Sequence, residues 1–266
     1  MTTAQGILAT NEALPFSLYS SVKEQRLFNV AITKPLLILV LGGQKKLGKT
    51  GEIICAPGSF IFLSNHPTID MRNIPNSAHY MALLIEFDYE DFESLTFSSI
   101  PKQAYVQGVI DPALEKSVSQ FMEWSAVAPS ELRPMRRREI LQLLHLSGYP
   151  EVGGLVEAPS LRHQLNAILA EDVLQDLDAP ALSSRLAMSE STLRRKLKAE
   201  GTNLQTLKDD AKLNLGLHLI QTSMAPIGHI ADQCGYHSQA RFSERFKQRF
   251  GLSPSELRKT RLHVSG

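Results

Sequence analysis

Residues 182–198 read LSSRLAMSESTLRRKLK and residues 230–247 read IADQCGYHSQARFSERFK, and the two stretches are one pattern written twice. Leu182, Leu186, Ala187 and Met188 align with Ile230, Cys234, Gly235 and Tyr236 at an offset of 48, while Leu193, Leu197 and Lys198 align with Phe242, Phe246 and Lys247 at an offset of 49. The second copy has one more residue in its turn. Each copy reads as a short helix, a turn, a serine N-cap (Ser189 or Ser238) and a second helix with apolar residues at i and i+4, which is the organisation of a helix-turn-helix. Between the copies, Leu204, Leu207, Ala211, Leu215, Leu219 and Ile220 form an apolar stripe that predicts one long helix over residues 204–221. At ~1.5 Å per residue it is roughly 27 Å long, comparable with the ~34 Å between successive major-groove faces on one side of a duplex.

The two second helices divide chemically. With Leu193 and Leu197 turned inward, Glu190, Ser191, Arg194, Arg195 and Lys198 fall elsewhere on the first cylinder; with Phe242, Phe246 and Phe250 inward, Gln239, Arg241, Glu244, Arg245 and Gln248 lie outside on the second. Arg can take guanine O6 and N7 with two parallel donors, Gln can take adenine N6 and N7, and an α-helix fits the major groove. A single charged helix face is most often a solvated one; two matching copies, both positive on the same face, turn the reading to double-stranded DNA. Glu190 and Glu244 read as partners that restrain Arg194 and Arg241, with Glu244 alternatively accepting from cytosine N4.

Charge and proline follow the same division. Residues 180–266 hold 14 Lys and Arg against 7 Asp and Glu, and the preceding residues 14 against 20, so a basic end follows an acidic body. Of 14 prolines, 11 precede residue 160, as a turn-rich β region followed by a helical one requires. The 266 residues are 43% apolar and 21% charged, the composition of a globular chain long enough for two domains. The longest apolar run, residues 36–41, is far short of the ~20 residues a membrane-spanning helix needs. The opening MTTAQGILATNEALPF carries no basic stretch ahead of an apolar one, and the two cysteines, Cys55 and Cys234, sit in apolar segments; both features place the expected chain in the reducing cytoplasm, away from membranes.

In the N-terminal half, residues 27–32, 36–41, 52–55, 59–63 and 80–87 are short, apolar or β-branched, and bounded by Gly or Pro, which predicts antiparallel strands of a small barrel or jelly roll. Two helices follow, over 111–124 with Asp111-Pro112 as N-cap and N1, and over 131–146. Arg136, Arg137 and Arg138 on the latter read as a solvated face, not as a DNA contact. Ile38, Val40, Phe60, Phe62 and Phe87 are read as lining the barrel, as core in preference to a ligand pocket. His66 and His79 lack the clustered partners a metal site needs, so neither a metal nor another cofactor is expected, and no catalytic group is assigned.

The C-terminal hundred residues resemble the AraC/XylS family of bacterial transcription regulators through SESTLRRKL (189–197), the Lys212-Leu213 and Leu219-Ile220 pairs, IGHIADQCG (227–235) and above all GYHSQARFSERFKQRFGLSPSEL (235–257). The N-terminal half resembles more weakly the cupin-like sensing and dimerisation domain of such regulators, at Ala56-Pro57-Gly58 and at RRREILQLL (136–144). The resemblance implies base-facing roles for Ser191, Arg194 and Arg195 in the first reader and for Gln239, Ala240, Arg241 and Glu244 in the second, with Lys198 and Arg245 as further DNA-binding cations. Gly216 and Gly228 stand where the family favours better helix formers, which reads as a looser domain.

The expected architecture is α+β: a cupin-like β-barrel with two following helices over residues 1–150, a linker over 151–160, and an all-α region over 161–266 with two helix-turn-helix motifs on one long helix. The expected protein is no enzyme but a cytoplasmic regulator. It binds promoter DNA, contacts RNA polymerase, works as a homodimer and answers a small-molecule or protein effector, with activation implied by the resemblance. The rival readings are a cupin-type metalloenzyme and a regulator switched by a protein partner.

Overall fold

In strand β3 (Leu36–Gly42, LLILVLG) both faces are apolar, so alternation alone cannot say which side meets the core. The computed structural model, which describes residues 14–64, 68–93, 105–155, 160–171, 173–175 and 177–261, shows that both sides do. The other strands are β1 (Ser17–Ser21), β2 (Gln25–Val30), β4 (Gln44–Leu47), β5 (Ile53–Cys55), β6 (Ser59–Leu63), β7 (Ile69–Ile74), β8 (Tyr80–Glu86) and β9 (Tyr105–Val109). They form two antiparallel, cupin-like sheets, one in the order β1-β8-β3-β6-β9 and the other β2-β7-β4-β5.

Helices α1 (Pro112–Ser125) and α2 (Arg133–Leu146) cover the outer face of the larger sheet. Asp111 caps α1 by accepting from the Leu114 amide at 2.7 Å, as its Asp-Pro start implies. Opposite β6, Leu37 pairs with Phe62 and Leu39 with Phe60, and these four pack with Phe87 beneath Leu114, Val118, Phe121, Ile140 and Leu141. The barrel-lining expectation is therefore corrected for three of its five residues. Ile38 and Val40 face the interior between the sheets, but Phe60, Phe62 and Phe87 point the other way because successive side chains in a strand alternate.

The solvated reading of the arginine run holds for the exposed Arg138 and is corrected for its two neighbours. Arg137 inserts between Asp88 and Asp91, with Asp91 buried, and so ties α2 to the short 3-10 turn Tyr89–Phe92. Arg136 pairs with Glu139 and lies over the Trp124 ring. The expected linker begins as structure: Glu151–Gly154 is a helical turn, α3, and Val152 and Leu155 are buried against the same core. His66 lies outside the described residues, and His79 is half-exposed. Among the described residues no group of three or more His, Cys, Asp or Glu is placed to hold a metal, and no helix is long and apolar enough to cross a membrane.

The helical region comprises α4 (Leu161–Glu171), α5 (Ala179–Arg185), α6 (Glu190–Ala199), α7 (Leu204–Thr222), α8 (Ile227–Gln233), α9 (Gln239–Phe250) and α10 (Pro254–Lys259). Its two halves bury their apolar faces differently. Leu161, Leu165, Leu169, Leu182, Leu193, Leu197 and Leu207 make a separate core for the first helix-turn-helix. The core of the second, Phe242, Phe246 and Phe250 with Leu217, Ile220 and Ile230, is continuous with the interior of the sheets.

Gly216 explains that arrangement and reverses the expectation of a loose domain. A Cβ at this position in α7 would stand 2.7 Å from the Phe242 ring, so the missing side chain is what lets α9 approach. Gly216→Ala is predicted to lower stability by about 1–2 kcal/mol in urea unfolding, because overpacking outweighs the gain of ~1 kcal/mol in helix propensity.

Lys45 points into the space between the sheets and is buried, donating to Asn73 Oδ1 at 2.8 Å beside the Tyr80 ring. Burial pushes its ammonium down to about 8, with the nearby Cys55 acting in the opposite direction. Between pH 8 and the ordinary value of 10.5 the unfolded chain keeps a proton that the folded chain has lost, so stability rises with pH in that window. The difference in stability between the parent and Lys45→Met is predicted to move in the parent's favour by on the order of 3 kcal/mol from pH 7 to pH 11, read by denaturant unfolding across pH.

Candidate nucleic-acid interface

Helix α6 begins at Ser189, whose hydroxyl accepts from the Thr192 amide at 3.3 Å, and α9 begins at Ser238, which accepts from the Arg241 amide at 3.4 Å. Both caps satisfy amides that a helix start leaves without partners, so the second helix of each motif starts where the sequence places it. Leu193 and Leu197 hold α6 down, and Phe242, Phe246 and Phe250 hold α9. The three rings run along one side of α9 with centroids 5.6 Å and 4.7 Å apart.

The opposite faces are open. Ser191, Arg194, Arg195 and Lys198 on α6 are exposed, as are Gln239, Ala240, Arg241, Glu244 and Arg245 on α9. All nine sequence-predicted residues thus lie on surfaces, in two groups, one on each second helix. Glu190 reaches Arg194 at 3.4 Å across one helical turn, the restraint read from their spacing. The last turns of α6 and α9 carry Lys196 with Lys198 and Lys247 with Arg249, so cations sit where the helix dipole is negative.

Two acidic residues that sequence reasoning left aside organise the second helix. Arg245 binds Asp209 at 3.2 Å and Arg249 binds Asp210 at 3.1 Å, so neighbouring carboxylates of α7 hold two cations of α9 one turn apart. Burial pushes the Asp210 carboxyl up and Arg249 draws it back, the balance of a half-buried pair. The available signal was the Asp209-Asp210 pair within an otherwise basic region, but only the crossing of α7 and α9 shows which arginines it meets. Arg245 is accordingly a DNA candidate already engaged with a carboxylate, whereas Arg194 and Arg195 lie on the exposed face of α6, Arg194 beside Glu190.

The far end of α9 rests on the sheets. Gly251 ends the helix in the left-handed conformation at φ 83°, and a Cβ there would meet the Phe28 ring of β2 at 2.4 Å. Asn29 Nδ2 donates to the Arg249 carbonyl at 3.2 Å, and the Val22 amide donates to the Thr260 carbonyl at 2.7 Å. The sheet contact therefore takes the C-terminal end of α9 and leaves its polar N-terminal turns open.

Paired sheets followed by two helix-turn-helix motifs on a shared helix define a two-part architecture. Residues 182–260 match the family described as "Helix-turn-helix domain". The HTH-type transcriptional regulator GadX of Escherichia coli O6:H1 is 30% identical over 98 residues, which is 37% of this chain and 36% of that protein. The HTH-type transcriptional activator RhaS of Escherichia fergusonii is 30% identical over 138 residues, 50% of each. The chain thus spans about a third to a half of the length of these relatives. Over 96% of this chain and 98% of the other, the fold is similar to the crystal structure of unsaturated fatty acid bound ToxT from Vibrio cholerae, with a TM-score of 0.66 and 14% identity. Residues 182–260 thus form a helix-turn-helix domain, in agreement with the resemblance its motifs carry.

Ser238→Ala is predicted to cost about 1 kcal/mol in urea unfolding by leaving an amide at the start of α9 without its partner. Amide exchange at residues 239–241 should quicken in the same variant.

Proposed function

We propose that this protein is a sequence-specific DNA-binding transcription regulator acting in the cytoplasm, with α6 and α9 as its two readers. The observation that carries the reading is the duplicated amphipathic helix: each copy is capped by serine, anchored by an apolar stripe, and exposes Arg with Ser or Gln on the other side. Those side chains match base edges in the major groove, and the surrounding cations match phosphates. One chain then addresses two grooves, which favours an asymmetric or directly repeated site over a simple palindrome.

Activation is the sign we assign, supported by the similarity to RhaS, and it implies contact with RNA polymerase through an exposed face of the C-terminal region. The paired sheets with α1 and α2 receive the effector and dimerise. The fold shared with a fatty-acid-bound protein supports a small molecule as that effector. Dimerisation is supported by the tip of the α1–α2 hairpin, where Trp124, Val127 and Met135 are 47%, 85% and 65% exposed.

Arg195→Ala or Arg241→Ala is predicted to weaken binding to the specific site by ~1–3 kcal/mol and to relax sequence preference at the base concerned, read by titration against a site and its point variants. Uniform weakening on every sequence would assign the residue to phosphate instead. Affinity should fall steeply as salt rises, because neutralised phosphates release counterions. Equal binding to a selected promoter fragment and to scrambled competitor would defeat the reading.

A further inference from the structure

A line of buried polar side chains runs from the space between the sheets into the helical region. Lys45 Nζ donates to Asn73 Oδ1 at 2.8 Å, Asn73 Nδ2 donates to Gln25 Oε1 at 2.9 Å, and Gln25 Nε2 donates to Thr260 Oγ1 at 2.8 Å. Thr260 Oγ1 passes its own proton to the Leu257 carbonyl of α10 at 2.6 Å. A branch enters from α7, where Gln221 Nε2 donates to the same Gln25 Oε1 at 3.3 Å. Lys45, Asn73, Gln25 and Gln221 are only 3%, 2%, 1% and 1% exposed, so water cannot replace these bonds without opening the seam.

The line has a direction, and its first member sets it. An ammonium has three donors and no acceptor, so the Asn73 oxygen must face Lys45 and its NH2 must face onward. Gln25 then presents its oxygen to Asn73 and Gln221 and its NH2 to Thr260, whose hydroxyl is left to donate to Leu257. Each amide has a single orientation that serves all its neighbours. Reversing Asn73 or Gln25 puts donor against donor, and reversing Gln221 puts oxygen against oxygen, inside a low-dielectric space.

This seam belongs to one reader only. The Val22–Thr260 backbone bond and the Phe28–Gly251 contact lie along it, and the apolar core of α9 continues into the sheets, while the α6 core is separate. We infer that Lys45 is a positioning residue which, through the oriented amides of Asn73 and Gln25, clamps the second helix-turn-helix on the paired sheets, while the first is held separately, by α7 and by the contact of His163 on α4 with Tyr89. A change at Lys45 then moves the second reader relative to the first without touching either DNA-facing surface. Only this last consequence rests on the DNA-binding reading; the clamp itself does not.

The test uses the full-length chain and substitutions that keep shape while breaking direction. Asn73→Asp still accepts from Lys45, as an ion pair, but offers nothing to Gln25; Gln25→Glu still accepts from Asn73 and Gln221 but offers nothing to Thr260. In both, hydrogen exchange at the Val22 amide and across residues 254–260 should accelerate about three- to tenfold, with β3, β6 and β8 unchanged. The Lys45→Met, Asn73→Leu pair, which removes the line and leaves an apolar filling, should do the same. Unchanged exchange at the seam in these variants, or equal acceleration in every element, overturns the clamp. On DNA carrying two half-sites, the variants should also tolerate altered spacing better than the parent. Faster exchange at the seam in variants that bind no DNA would keep the clamp and remove the functional reading.

Discussion

The burial of three phenylalanines on one side of α9 is the constraint from which the rest of the molecule follows. Phe242, Phe246 and Phe250 are fully inaccessible, the first two rings meeting at a tilt and the last two edge-on. To bury them, α7 must come close enough that Gly216 has no room for a methyl group, and the sheets must close over the far end of the helix at Phe28. With that side committed, Gln239, Arg241 and Glu244 lie exposed, with Arg245 held beside them by Asp209, which is what a base-reading surface requires. The reading face is as much a product of the apolar core as of its own polar residues.

The two helix-turn-helix motifs share a sequence pattern but not a mechanical setting. The first closes on its own leucine core with α4 and the start of α7, while the second extends the interior of the sheets. A change inside the sheets therefore reaches α9 through packed side chains and a directed line of hydrogen bonds, and reaches α6 through α7 and through α4, whose His163 ring meets Tyr89. Such an asymmetry makes the relative placement of two readers adjustable, provided the seam has two arrangements of similar energy.

Acidic residues do two different jobs in holding basic ones. Asp88 and Asp91 draw Arg137 into the body of the N-terminal half, where the pair ties a helix to a turn and is unavailable to a nucleic acid. Asp209 and Asp210 instead steady Arg245 and Arg249 at the edge of the exposed second reader. Both sets look alike as charges in a sequence. Burial separates the extremes, Arg137 with Asp91 and Arg245 with Asp209, because an ion pair in the interior is costly to break whereas an exposed one is worth little.

The repeated helix pair, its serine caps and the outward side of each second helix were legible in the amino-acid sequence because each depends on local spacing: 3.6 residues per turn and a hydroxyl at the helix start. The strands β3, β6 and β8 were legible as apolar runs, but β1, β4, β7 and β9 were not, since QKKL or IDMRNI becomes a strand only when a neighbour supplies its hydrogen bonds. The same limit sent Phe60, Phe62 and Phe87 to the wrong side of their sheet, for in a strand with two apolar faces the side chains alternate without saying which side is inside. Gly216 as a site of close approach, Arg137 as a buried tie and the line from Lys45 to Thr260 were decided by tertiary structure alone. Each joins residues distant in the chain, and no periodicity records which distant partner a side chain will meet.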